Sequence, residues 1–348
     1  MTADDEQTGE RRSRRRLLKV VGGVTAGVVV LGGVAGGWVY WKLDANITSV
    51  DINSALGDNR PAKPVVTPSA GASAASVPLP GEAVNILVLG SDSRSGAENQ
   101  RLGGGDSEGA RSDTAMVFHI DAGGESAQVV SIPRDTLVSR PACPLPDGGQ
   151  APAWNGAMFN SAYAVGGPVC AVKTVEAMTG VRMDHYLEID FAGFAELIDA
   201  VGGVTVTLDQ AIEDKKSRLS LDAGTHLLDG EQALALARTR YGLPGGSDLA
   251  RIELQQQLIK ALITRITDIS LLSDPVELYD VATAVTDSLT TDTGLDSLTE
   301  LVDLGQSLRA LSADSVKTVT LPVVRAPSDP NRVVADEPEA RELWESLR

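Results

Sequence analysis

The sequence predicts an α/β domain, with helices layered on a central sheet, that follows a single membrane-spanning segment. Three features lead there. Between Leu17 and Trp41 the only charge is Lys19; a Pro-, Ala- and Ser-rich stretch comes next; and from Val84 onward short apolar runs alternate with helical patterns. With 348 residues and 43% hydrophobic side chains the chain can bury a substantial core.

The first sixteen residues read as a cytoplasmic basic tail, because Arg11, Arg12, Arg14, Arg15 and Arg16 crowd its end. Residues 17–41 read as the anchor. Its length of roughly 20 apolar residues suits one helical crossing, and Trp38, Tyr40 and Trp41 stand at the far end as an interfacial belt. Positive charge before the span orients the N-terminus inside and everything after it outside. A cleaved signal peptide is the alternative, but no small-x-small site follows the apolar run. The run Ser13 to Lys19 also resembles a twin-arginine export signal. Residues 42–82 read as a linker, too poor in apolar surface to fold. Residues 83–348 then form one extracytoplasmic domain.

In that domain, strands are expected at Val84–Leu89, Thr114–Ile120, Gln128–Ile132, Val204–Leu208 and Val316–Leu321. Helices are expected at Ser161–Thr179, Phe191–Val201, Glu231–Arg238, Ala250–Leu272, Pro275–Asp287, Leu295–Leu311 and Pro338–Leu347. Only Cys143 and Cys170 occur. Both follow the span, in a compartment that permits oxidation, and they read as one disulfide. A net charge of −17, and a still more acidic balance once the basic N-terminal stretch is set aside, argues against nucleic-acid binding.

Charged residues gather at the ends of the first three strands: Asp92 and Arg94 after the first, Arg111 and Asp113 before the second, Arg134 and Asp135 after the third. Consecutive strands are commonly neighbours, so these loops should meet at one sheet edge. Two carboxylates such as Asp92 and Asp113 can share a hard cation whose shell a phosphate completes. Arginines match phosphate oxygens with a planar fork of donors. An ion-pair network that merely ties loops together is the competing account. Arg238 and Arg240 end a helical run, where cations also serve as helix-dipole partners. Gln255 lies one turn after Arg251, on the same helix face. His119, His185 and His226 are too scattered for a zinc site. Gly105–Gly109 matches the serine-hydrolase elbow in letters but lacks the strand before it and the helix after it.

In order, the segments GSDSR, RSDT, SIPRDT, FNSAYAVGG, VEAMTG, DHYLEIDFAGFAELIDAVGGV, LDGEQALALARTRY and DLARIELQQ resemble the LytR-CpsA-Psr (LCP) family of cell-wall ligases, of a Gram-positive, actinobacterial type. The likeness is close from Val84 to Thr267 and looser beyond. It implies a three-layer α-β-α domain with a mixed central sheet. It also implies a Mg²⁺-dependent phosphotransferase, with Mn²⁺ as a substitute and pyrophosphatase activity on the side. Such an enzyme moves a glycopolymer from a polyprenyl diphosphate carrier to a peptidoglycan acceptor. Position by position, Asp92 and Asp113 resemble the metal ligands, while Arg111, Arg134, Arg238, Arg240 and Gln255 resemble the diphosphate contacts. Arg134, Asp113 and Arg240 are then the catalytic candidates. The family also holds a lipid tail in an apolar channel, to which Phe191, Phe194, Leu197, Leu258, Leu262 and Ile266 are candidates, though all six also fit a plain core. Two positions depart from the pattern, Met158 and Leu254, where relatives commonly carry cations. That leaves a polyprenyl-phosphate-binding or regulatory protein without turnover as the alternative. A transcriptional regulator conflicts with the predicted topology and acidity.

Overall fold

The computed structural model describes residues 36–63, 82–91, 99, 101–102, 112–145, 147–240, 248–268, 275–308 and 310–348. They fall into two units, Met1–Asn46 and Ile47–Arg348. Of the first, residues 36–46 are helical. Most of the expected anchor lies outside the described residues, among which no helix is long and apolar enough to cross a membrane.

The second unit begins earlier than the sequence suggested. Thr48–Val50 (β1) joins the main sheet, and the short helix Ile52–Leu56 (α1) follows, capped by the Asp51 side chain accepting from the Ser54 amide. Ile52 and Leu56 are buried, and Arg60 grips Glu176 with both groups nearly inaccessible. Residues 47–63 therefore belong to the domain, which corrects the expected boundary at 83. The low apolar content of residues 42–82 as a whole hid two buried side chains and a buried ion pair. What remains of the linker, residues 64–81, lies outside the described residues.

Val84–Ser91 (β2), Ser112–Ile120 (β3) and Ala127–Ser131 (β4) form an antiparallel meander at the centre. The chain then makes two small ladders, Leu137–Arg140 (β5) with Trp154–Met158 (β8), and Cys143–Pro144 (β6) with Gln150–Ala151 (β7). A long helix follows, Phe159–Thr179 (α2), broken at Gly166 and Gly167 ahead of Pro168. The break has a steric reason: a Cβ on Gly166 would lie 2.6 Å from the Pro144 carbonyl oxygen. That close approach sits beside the Cys143–Cys170 disulfide, which ties the β6–β7 ladder to α2 as expected.

His185–Asp190 (β9) returns to the sheet parallel to β2. Phe191–Ala200 (α3) is capped by Asp190, accepting from the Gly193 amide. Val204–Leu208 (β10), Ile212–Asp214 (β11), Leu219–Leu221 (β12) and Gly224–Leu228 (β13) make two separate hairpin ladders, so the expected strand 204–208 exists but outside the main sheet. Gly230–Arg238 (α4) opens with an Asp229/Gln232 capping box. Gly230 is required there, because a Cβ would meet the Ala195 carbonyl oxygen at 2.2 Å and force α4 off α3. Asp248–Asp268 (α5) and Pro275–Ser288 (α6) are followed by Leu289–Asp292 (β14), Leu298–Ser307 (α7), Val316–Thr320 (β15), the hairpin Val323–Ala326 (β16) and Asp329–Ala335 (β17), and Glu339–Glu345 (α8).

The main sheet has the order β1-β14-β9-β2-β3-β4-β15, with parallel and antiparallel pairs, and is the mixed sheet the resemblance implied. Alternation along its strands divides the core in two. Leu87, Leu89, Ala115 and Val117 pack with α2, α1 and α8 on one face. Ile86, Met116 and Val129 face α5 and α7 on the other. A third cluster, Ile198, Val204, Leu236 and Leu258 among its members, joins α3, α4 and α5 over the β10–β13 ladder.

Candidate functional site

The site forms where the central meander ends. Gly90 pairs with Thr114 but Ser91 pairs with Ser112, so Asp113 is the extra residue of a β-bulge. A bulge re-aims its side chain out of the strand's alternation, and here it turns Asp113 toward the mouth of a cavity. Gly90 lines the same mouth; a Cβ on it would press to 3.1 Å from the Thr114 Cβ.

Arg134 and Asp135 sit in the turn after β4, closed by the Thr136 amide and hydroxyl both donating to the Pro133 carbonyl. The Asn160 amide, in the first turn of α2, donates to the Arg134 carbonyl. The Arg134 guanidinium reaches Asp113 Oδ1 at 2.6 Å, and Arg240 Nη2 lies 3.9 Å from the same oxygen. On its other side Arg134 Nε lies 3.9 Å from Asp135 Oδ2, and Arg332 Nη1, from β17, lies 3.2 Å from Asp135 Oδ1. A row of alternating charge results: Arg240, Asp113, Arg134, Asp135, Arg332. Every member keeps some solvent exposure, so each pair contributes little to stability.

Arg238 and Arg240 leave the end of α4 on either side of buried Thr239, whose hydroxyl donates to the Ala235 carbonyl. Arg238 stacks on Phe191, its guanidinium carbon 4.4 Å from the ring centre, and donates to the Leu102 carbonyl. The Arg240 amide donates to Asp214 Oδ2 at 2.9 Å, while Asp214 Oδ1 accepts from the Lys216 amide at the tip of the β11–β12 hairpin. On α5, Gln255 spends its Nε2 on Thr114 Oγ1 at 3.0 Å and on the Ala237 carbonyl at 2.9 Å. It thus joins β3, α4 and α5, with its oxygen left for a ligand or water. Arg251, one turn earlier and 2% exposed, approaches the Asp113 carbonyl oxygen at 3.4 Å.

Beneath this polar rim the cavity runs between the sheet and α3, α4 and α5, with a volume of about 570 Å³. Its walls are Val88, Met116, Phe118 and Leu187 from the strands, and Leu258, Ile259, Leu262, Ile263 and Ile266 from α5. All six apolar candidates named from the sequence line it.

Asp113, Arg134, Arg238, Arg240 and Gln255 are thus assembled around one cavity mouth. Asp92, Arg94, Arg111 and the Gly105–Gly109 segment lie outside the described residues. Arg251, Asp214 and Arg332 are neighbours the sequence reading did not place in the site. Arg251 had a visible signal, its one-turn spacing from Gln255; Asp214 and Arg332 had none, since their approach depends on hairpins folding back. Leu254 is buried in the third core cluster, and Met158 pairs with Leu137 in the β5–β8 ladder, apart from the cavity lining.

Asp113 fits a hard cation in part. Arg134 occupies Oδ1, and Oδ2 has no hydrogen bond among the described residues. Among those residues no group of three or more His, Cys, Asp or Glu is arranged to hold a metal. Asp92, the other carboxylate expected at a cation, lies outside the described residues.

A profile of the LytR_cpsA_psr family matches residues 39–348. The chain is 35% identical over 270 residues to the probable cell wall biosynthesis protein LcpB of Corynebacterium glutamicum, an alignment covering 76% of this chain and 61% of that one. It is 30% identical over 275 residues to the polyisoprenyl-teichoic acid–peptidoglycan teichoic acid transferase TagT of Bacillus subtilis, covering 76% of each. The alignments span half to three-fifths of the two corynebacterial relatives, LcpA and LcpB. Among solved structures, a LytR-Csp2A-Psr enzyme from Actinomyces oris superposes with a TM-score of 0.61 at 24% identity, over 86% of this chain and 95% of that one. TagT bound to LI-WTA superposes with a TM-score of 0.55 at 25% identity, over 76% and 89%.

Proposed function

The chain belongs to the LytR-CpsA-Psr family, and from that premise we propose that it transfers a glycopolymer from a polyprenyl diphosphate carrier to peptidoglycan, leaving a phosphodiester link. One observation carries this reading: an apolar cavity of about 570 Å³ opens directly onto Arg238, Arg240, Arg251 and the Asp113–Arg134 pair. A tail-bearing diphosphate matches both halves, hydrocarbon within and anion at the rim. The names of the relatives, which are transferases of lipid-linked teichoic acid or cell-wall biosynthesis proteins, support the same substrate class.

In the proposed step an acceptor hydroxyl oxygen bonds to the sugar-side phosphorus. The bond from that phosphorus to the bridging oxygen breaks, and polyprenyl phosphate leaves with the oxygen. A neighbouring carboxylate takes the hydroxyl proton; Asp113 and Asp135 are the nearest in the row, and Asp113 could serve only while its Oδ2 is not bound to a cation. No protein nucleophile is required, so catalysis rests on positioning and on arginines set where charge develops. Asp113 Oδ2 and Asp92 would hold Mg²⁺, or Mn²⁺ in its place, which when bound would neutralise diphosphate charge. Water in place of the acceptor gives a slow pyrophosphatase side reaction. The arrangement suits a single-pass protein with its N-terminus in the cytoplasm and its domain outside, where its acceptor lies.

The test supplies a lipid-diphosphate-linked glycan, Mg²⁺ and peptidoglycan, and compares wild type with Arg240→Ala. Transfer should fall about 100- to 1000-fold in the variant with the melting temperature unchanged. A wild-type protein that binds the lipid and transfers nothing would favour the second reading, a carrier-binding or regulatory protein. Leu254 is the observation on that side, since it puts an apolar core residue where relatives commonly carry a cation.

A further inference from the structure

We infer that Arg332 is an acceptor-binding residue that recognises a carboxylate on the incoming peptidoglycan. This rests on the transfer reading above.

The charged row has a direction. Asp113 and Arg240 line the cavity; Arg134, Asp135 and Arg332 continue the row beyond the lining residues. In phosphoryl transfer the attacking and leaving oxygens lie roughly in line across the phosphorus. With the leaving polyprenyl phosphate rooted in the cavity, the attacking hydroxyl must arrive from the opposite side, where the row ends in Arg332.

The backbone builds that end of the row. Val333 bridges to Thr136, two residues from Arg134, and the Asp336 amide donates to the Pro322 carbonyl, which closes the β16–β17 hairpin. The Arg332 side chain is 31% exposed. Its Nη1 faces Asp135 and its Nε lies 3.9 Å from Asp329 Oδ2. Nη2 has no further partner among the described residues. A guanidinium offers five N–H donors in a planar fork that fits a carboxylate. Partly exposed ion pairs of this kind add little to stability. Peptidoglycan carries free carboxylates on the stem peptides attached to its glycan strands, and a guanidinium fork fits such a group.

The experiment uses the full-length protein, a lipid-diphosphate-linked glycan as donor, and a soluble peptidoglycan oligomer either with free carboxylates or with them amidated. Arg332→Gln should raise the KM for the carboxylated oligomer about 10- to 100-fold, with kcat, donor affinity and melting temperature nearly unchanged. Arg332→Lys should recover part of the loss, and the amidated oligomer should be used equally poorly by wild type and Arg332→Gln. An unchanged acceptor KM in Arg332→Gln overturns the proposal. So does a loss confined to donor affinity, which would assign Arg332 to the donor glycan, and so does a wild type indifferent to amidation. If wild type transfers nothing at all, the transfer reading fails on its own, and equilibrium binding of the two oligomers to wild type and Arg332→Gln still decides the role of Arg332.

Discussion

The two faces of the central sheet are built from the same strands and nearly the same residue types, yet one is filled and the other hollow. Toward α2, Leu87, Leu89, Ala115 and Val117 meet Val172, Val175 and Phe159, all almost wholly inaccessible. Toward α5, Val88, Met116, Phe118 and Leu187 look into a cavity of about 570 Å³. Apolar alternation specifies that both faces are covered, but not how closely. The distance at which α5 is held does that. Gln255 and Gln256 bind α5 to β3, β4 and β15 through Thr114, Ser131 and Thr320, while α3 and α4 prop its side. Polar ties at a helix's N-terminal end can thus leave apolar space further along it.

Truncation breaks the comparison most sharply. Leu89→Ala, on the filled face, should cost about 2–5 kcal/mol in denaturant unfolding, whereas Ile263→Ala, which borders existing space, should cost less than half of that. Equal losses would mean that the α5 face is as tightly packed as its opposite. Enlargement should separate the faces next. Ile263→Trp should be held to within about 1 kcal/mol of wild-type stability while lowering affinity for a polyprenyl phosphate by about 10-fold; Val175→Trp should lose about 1–3 kcal/mol or more through overpacking. Lipid binding undiminished in Ile263→Trp would place the tail elsewhere.

The smallest effect concerns pH. His119, on the filled face, contacts Asn85 Oδ1 at 2.8 Å, and burial pushes its pKa below the ordinary value of 6.5, outweighing the nearby Asp121 carboxylate. A folded-state pKa below the unfolded one means stability is fully present above about pH 6.5 and is lost as pH falls through the folded value. Melting temperature should therefore decline below neutrality, and His119→Gln should flatten part of that slope. No group of this kind is needed on the hollow face, where the lipid reading predicts binding with little dependence on this imidazole.

Much of this was legible from residue order. The runs Val84–Leu89 and Thr114–Ile120, and helices such as Phe191–Ala200, have periods that fix their type. The turns after them placed Asp113 and Arg134 together, because a meander returns each strand end to its neighbour. Segments whose partners are remote were not legible. Thr48–Val50 pairs with Leu289–Asp292, more than two hundred residues away, and neither run is apolar enough to announce a strand. Arg332 sits in a hairpin whose approach to Thr136 no local pattern encodes. From spacing alone Arg238 and Arg240 read as helix-end cations, and only the family likeness implied a diphosphate role; Thr239 is buried between them. The lining residues of α5 were visible as apolar, but the sequence could not show that the space in front of them is empty.

The position of β1 has a mechanical consequence. Tension carried by the chain ahead of Ile47 enters the domain at an outer edge of the sheet, through three register pairs with β14. Behind them come the buried Ile52 and Leu56, then the Arg60–Glu176 ion pair. The strands that carry Asp113 and Arg134 lie on the far side of β14, β9 and β2. A tug on the N-terminal chain thus meets this edge first, before the strands beside the candidate site.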